Sequence, residues 1–218
     1  MEIIYKIPKY ISINGKPQAF EFKEPISEKT YHEFQAMLSE RCLRKTPLLL
    51  VFDCAGGEIK WGFKCGELIE KYQREPYKRK FIGIGYNVSS MAVYLYAKCD
   101  ERYLSPDGRI MIHDVICQAD HIKKKATDLL QEVKALCNAA EHIYVCISRA
   151  CQKPENYIHG IMKEIGNANL YWDGETAMEH GFVHYNYVPL FTYEVTEKWS
   201  ESGPKSEYPL GMNFLLRK

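Results

Sequence analysis

Three short segments carry the residue types of nucleophilic acyl transfer. Val88-Ser89-Ser90-Met91-Ala92 sets two hydroxyls at the head of an apolar run, Asp53-Cys54-Ala55-Gly56-Gly57 ends in a glycine pair, and His113 closes the β-rich run from Gly108. A serine attacks a carbonyl when its hydroxyl is fixed and exposed, a His lies within hydrogen-bond reach as base, and backbone amides face the developing oxyanion. A glycine pair after one strand and a Ser-Met pair opening a helix can present such amides. Each segment also has an ordinary use. Either serine can cap a helix, the glycine pair can simply turn the chain, and His113 can be a half-buried imidazole. The three would have to meet at one edge of a sheet for the chemistry to work.

The elements around them are those of an α/β fold. Pro47 to Phe52 is an unbroken apolar run, as in a strand covered on both faces. Lys80 to Gly85 and Gly108 to His113 read as further strands, and Ala19 to Phe22 as another. Helical patterns fall between them: one after Ser27 with Tyr31, Phe34, Met37 and Leu38 on a stripe, one after Gly57 through Tyr72, and one from Ser90 to Ala97. Strand–helix alternation predicts crossover connections. From Ile122 to Ile147 apolar residues recur every three or four positions, a single face held over about seven turns. A helix of that length either flanks a large sheet or projects toward another subunit. Shorter helices are expected from Pro154 to Ile165 and Thr176 to His180, then a last strand at Phe182-Val183. Asn14-Gly15 is a hairpin turn signal.

Composition removes several classes. A net charge of +1 gives no pull toward nucleic acid or anionic membrane. The short runs Lys78-Arg79-Lys80 and Lys123-Lys124-Lys125 read as solvated surface. No apolar stretch approaches the roughly 20 residues that span a bilayer. MEIIYKIPKY does not read as a signal peptide, so a cytoplasmic protein is expected. Eight cysteines without a CxxC pair match no zinc site and predict reduced, partly buried thiols. No structural metal is implied.

The order of the segments resembles the Clp protease proteolytic subunit family. Asp53 to Ile59 is similar to its Asn-Ser-Pro-Gly-Gly-Ser-Val, Val88 to Ala92 to its Ala-Ala-Ser-Met-Gly, Leu104 to His113 to its Leu-Pro-Asn-Ser-Arg-Val-Met-Ile-His, and Glu175 to Val183 to its Pro-Glu-Ala-Val-Glu-Tyr-Gly-Leu-Val. The resemblance spans roughly residues 19 to 185. It implies a crotonase-like α/β fold with a long projecting handle helix at about 120–150. One peptidase domain over 1–190 would carry a C-terminal extension at 191–218. By position Ser90 becomes the nucleophile, with Ser89 second, His113 the general base, and the Gly57 and Met91 amides the oxyanion donors.

The third triad position falls on Asn169, where the family has aspartate, with Asn167 and Asp173 as alternatives. Asp114 is not expected there, since strand alternation points it away from His113. Cys54-Ala55 replaces the family's Ser-Pro, and Ala92 its glycine. The resemblance further implies a serine endopeptidase acting on peptide or protein substrates, a homo-oligomeric ring (heptamer or stacked double ring), and, in ATPase-coupled members, an ATPase partner. Two alternatives stand beside it: a catalytically impaired structural subunit, motivated by Asn169, and a crotonase-type acyl-CoA hydratase or hydrolase.

Overall fold

A computed structural model describes residues 12–13, 16–17, 19–40, 47–115, 125–166 and 168–186. The turn at 14–15, Asn167 and the extension at 191–218 lie outside the described residues. Strands β1 (Ser12–Ile13) and β2 (Lys16–Pro17) pair antiparallel. The main sheet holds β3 (Ala19–Phe22), β4 (Leu48–Cys54), β5 (Phe81–Ser89), β6 (Glu101–Ile112) and β7 (Leu170–Trp172), in that spatial order. The first four are parallel and β7 runs antiparallel to β6. Helices α1 (Glu28–Glu40), α2 (Ile59–Gln73) and α3 (Met91–Ala97) fill the crossovers. They are followed by α4 (Ala126–Ala150), α5 (Tyr157–Ile165) and α6 (Gly174–Glu179).

The unbroken apolar run of β4 has the expected cause. Leu48, Leu50, Phe52 and Cys54 enter the large core under the helices, while Leu49 and Val51 join Ile82 and Ile84 on the opposite face. A strand buried on both sides has no polar alternate. In β5 the parity of the pattern changes. Ile82 and Ile84 point to the smaller cluster, yet Val88 joins the large core, because an extra residue at Tyr86 shifts the register between Gly85 and Asn87.

Parallel pairing sends the C-terminal ends of β4, β5 and β6 to one edge, so Gly56-Gly57, Ser90 and His113 emerge side by side. Antiparallel β7 brings its N-terminal end to that same edge.

Helix α4 is the long element. Its 25 residues give about 37 Å at 1.5 Å per residue. Only its second half is anchored: Ala140, Ile143, Tyr144 and Ile147 are buried against the core. Leu129, Leu130 and Val133 of the first half are exposed by 44%, 70% and 56%. Of the two alternatives that the spacing allowed, this is the projecting one, which the resemblance also implied; the helix starts at Ala126, and residues 116–124 are outside the described set.

Two expectations are corrected. Phe182-Val183 is not a strand: both amides donate to the Ala177 carbonyl and cap the end of α6, leaving the pair to plug the core. The sheet's last strand is β7 instead. Strand β6 begins at Glu101, seven residues before the expected start, and carries Ser105-Pro106-Asp107-Gly108 as an internal irregularity that reads in sequence as a turn. Of the described cysteines, Cys54, Cys65, Cys99 and Cys151 are buried free thiols, as expected, and Cys137 is exposed.

Candidate active site

Ser90 sits between β5 and α3 with φ 56° and ψ −126°, a left-handed conformation that a side-chain-bearing residue adopts only under constraint. The constraint is visible. Its amide donates to the Met111 carbonyl at 2.8 Å, tying the turn to β6, and its carbonyl accepts from Val93 to start the helix. The sharp strand-to-helix turn lifts the hydroxyl off the sheet edge.

The glycine pair is shaped to this turn. At Gly56 (φ 107°) a methyl group would stand 2.5 Å from the Ser90 Cβ and 2.9 Å from the Ser89 carbonyl. At Gly57 (φ 149°) it would meet the Ile26 carbonyl at 2.3 Å. Ile26 bridges this loop from both sides, donating to the Gly56 carbonyl and accepting from the Glu58 amide, each at 2.8 Å. The Cys54 thiol adds a third tie, 3.4 Å from the Gly56 amide and donating to the Glu24 carbonyl at 3.3 Å. Burial pushes that thiol's pKa up, so it holds the loop as a neutral group.

His113 lies just past β6. Its Nε2 is 2.8 Å from the Ser90 Oγ, and its Nδ1 is 2.5 Å from the main-chain carbonyl of Asp114. A carbonyl can only accept, so Nδ1 carries the ring proton and Nε2 offers its lone pair to the Ser90 hydroxyl. That is the tautomer a general base requires. Ser90, not Ser89, makes this contact; Ser89 is the last residue of β5, in register with Met111. The Gly57 and Met91 amides donate to no backbone or side-chain group among the described residues. Met91 is the first residue of α3, whose opening amides have no acceptor within the helix.

Around these groups lies a cleft of about 170 Å³ lined by Gly57, Ser90, Met91 and His113 and walled by Ile59, Ile112, Val115, Ile143 and Ile147. Asp114 also lines it. The described residues contain no cluster with the composition of a metal site.

The third position differs from the other four expectations. The last β6–β7 pair is Ile112 with Leu170, so one step further sets Asn169 across from His113. Its side chain is exposed and its amide donates to the Tyr171 hydroxyl at 3.2 Å, not to His113. Asp173 caps α6, accepting from the Thr176 amide at 2.8 Å, a bond that lowers its pKa. It lies four residues up the strand pair from His113.

The Asp114 carboxylate makes no hydrogen bond to the imidazole among the described residues, yet its main-chain carbonyl is the group that Nδ1 uses. The alternation argument addressed only its side chain. That carboxylate accepts from its neighbour Val115 at 2.8 Å and from the Tyr144 hydroxyl of α4 at 3.2 Å. The spacing assigned none of Tyr144, Ile143 and Ile147 to the site: it put Ile143 and Ile147 on one apolar helix face and did not single out Tyr144.

Ser90 at its strand-to-helix turn, His113 with Nε2 on the Ser90 hydroxyl, and Gly57 and Met91 amides without acceptors among the described residues thus meet at one end of the α/β sheet. A family model described as Clp protease matches residues 18–185, more than half the chain, and the chain belongs to that family. Its five-stranded sheet with flanking helices and projecting α4 is the α/β fold of that family. Against curated proteins the sequence finds no match.

Proposed function

We propose that the chain is a serine endopeptidase with Ser90 as nucleophile and His113 as general base. The observation that carries this reading is the 2.8 Å contact of Nε2 with Oγ beside two amides without partners among the described residues. In the first step the Ser90 Oγ bonds to the peptide carbonyl carbon while its proton passes to Nε2. The carbonyl electrons move onto oxygen, which the Gly57 and Met91 amides receive. Collapse breaks the C–N bond, the amine leaves with the proton from Nε2, and an acyl-enzyme remains. Water then attacks the ester with His113 again as base, releasing the acid and restoring Ser90. None of these steps calls for a metal or organic cofactor. The aliphatic cleft walls favour an apolar side chain next to the cleaved bond.

Family membership supports protein substrates and ring assembly, and the exposed apolar residues on the free half of α4 support a contact between copies. Heptamers or stacked rings, an ATPase partner and a cytoplasmic setting are carried as parts of this reading. No helix among the described residues is long and apolar enough to cross a membrane.

A second reading rests on Asn169, which carries no charge and whose amide donates to Tyr171 instead of His113. An impaired subunit kept for assembly fits that observation. Intact mass after incubation with a fluorophosphonate separates the two. One adduct, absent in Ser90→Ala and retained in Ser89→Ala, is expected. No adduct on the assembled, folded wild type would establish the impaired subunit. Thioester turnover surviving Ser90→Ala would instead establish acyl-CoA chemistry.

A further inference from the structure

His113 needs something at Nδ1 to keep its proton there and its ring turned toward Ser90. Neither of the family-position candidates that can be described, Asn169 and Asp173, does this. The group in place is the carbonyl of Asp114, at 2.5 Å. A main-chain carbonyl just past a strand end is free to rotate with its peptide unless something fixes it. Here the fixing bonds run through the same residue's side chain, from the Val115 amide at 2.8 Å and the Tyr144 hydroxyl at 3.2 Å.

Tyr144 is itself firmly held, 6% exposed on the anchored half of α4. Burial, then the Asp114 carboxylate, raise its hydroxyl pKa, so it stays a donor throughout the neutral range. Ile143 and Ile147, which wall the cleft, sit on the same turn of that helix.

We propose that Tyr144 and Asp114 form a clasp that positions His113: the hydroxyl holds the carboxylate, the carboxylate holds its peptide, and the peptide carbonyl takes the Nδ1 proton. The clasp does the orienting that an aspartate side chain would do in a triad, with a neutral acceptor in contact with the ring. Its bonds end on His113, so it should act on the rate of the chemical step more than on substrate affinity. This inference rests on the peptidase reading of Ser90 and His113.

The test uses the full chain and two readouts. Fluorophosphonate labelling rates and peptide-ester kinetics report the chemistry. Nitrogen NMR of isotope-labelled histidine, with His113 assigned from the His113→Gln spectrum, reports the tautomer. Tyr144→Phe keeps the packing and removes one hydrogen bond. It is expected to slow labelling by about 5- to 10-fold, lower kcat with KM unchanged, and mix the two His113 tautomers. Asp114→Ala should match it, the double variant should be no slower than either single one, and Asp114→Asn, whose amide oxygen still accepts from Tyr144, should fall between Asp114→Ala and wild type.

Wild-type labelling and an unchanged tautomer in a folded Tyr144→Phe protein would overturn the clasp. So would a larger loss in Asn169→Ala than in Tyr144→Phe, which would return the orienting role to Asn169. If wild type fails to label but its His113 holds the Nδ1–H tautomer and loses it in Tyr144→Phe, the clasp stands and the peptidase reading falls.

Discussion

Gly56→Ala is the sharpest probe of how the turn holds Ser90. The added methyl would lie 2.5 Å from the Ser90 Cβ and 3.0 Å from its Oγ, where ordinary contact begins at 3.4 Å. The loop cannot retreat, since Gly56 is tied by its carbonyl to Ile26 and by its amide to the Cys54 thiol. The misfit therefore falls on Ser90, which must shift by about 0.9 Å, and a displacement near 1 Å at a reacting group costs roughly 100-fold in rate. The φ of 107° adds about 1–3 kcal/mol of backbone strain once a side chain is present.

Fluorophosphonate labelling followed by intact mass should fall by about two orders of magnitude, with thermal melting of the same sample recording the lost stability. Gly56→Ala/Ser90→Gly removes the atoms behind the closest contact. It should melt above Gly56→Ala by more than Ser90→Gly alone changes the wild type, a coupling expected only of groups in contact. Labelling of Gly56→Ala at the wild-type rate would refute the claim that the glycine is there to let Ser90 stand where it does.

Gly160 lies within α5 with open space around it, so Gly160→Ala should raise stability by about 0.5–1 kcal/mol, seen as a higher denaturant midpoint. Ile147, fully buried on the anchored half of α4, should cost about 2–5 kcal/mol as Ile147→Ala and widen the cleft, shifting ester preference toward bulkier side chains. Arg102 is buried and donates to the carbonyls of Phe182, Cys99 and Ala150; Arg102→Ala leaves all three without a donor and should lower the melting temperature more than any exposed Arg→Ala change.

Stability should also fall in mild acid. His184 accepts from the Arg102 amide at 3.0 Å, and burial, then the Arg102 charge, hold its pKa below 6.5; burial does the same for His180. The unfolded chain takes up these protons first, so stability is full above about pH 6.5 and lost as pH drops through the folded pKa values. His184→Asn should flatten part of that slope in melts across pH, and an unchanged slope would remove His184 from the account.

Long or doubly buried elements were legible because burial writes itself into residue type. Strand β4 admits no polar alternate, and α4 repeats its apolar face through the exposed Leu129 and Val133 as well as the buried Ala140, Ile143 and Ile147. Strand β7 was missed because Leu170, Tyr171 and Trp172 are too few to show a period. Phe182 and Val183 have the side chains of a strand, but their backbone is spent on closing α6, and sequence cannot report where an amide donates.

At the site, the meeting of serine, histidine and glycine pair was legible because each stands just past the C-terminal end of one of three adjacent parallel strands. The partner of His113 was not, because a main-chain carbonyl is present at every residue and leaves no mark in the sequence. Tyr144 looks like any buried tyrosine until its hydroxyl is followed to Asp114.

The extra residue at Tyr86 bears on how this chain can change over evolutionary time. It converts one facing of β5 into the other, so that Ile82 and Ile84 line one layer while Val88 and the serine turn belong to the next. The segment between Gly85 and Ser90 is therefore counted in residues more strictly than it is spelled. Replacing a side chain there adjusts packing, whereas losing or gaining a single position would invert every facing downstream and carry Ser90 off the edge it shares with His113. Relatives that keep this site should vary in the letters of that stretch and agree in its length.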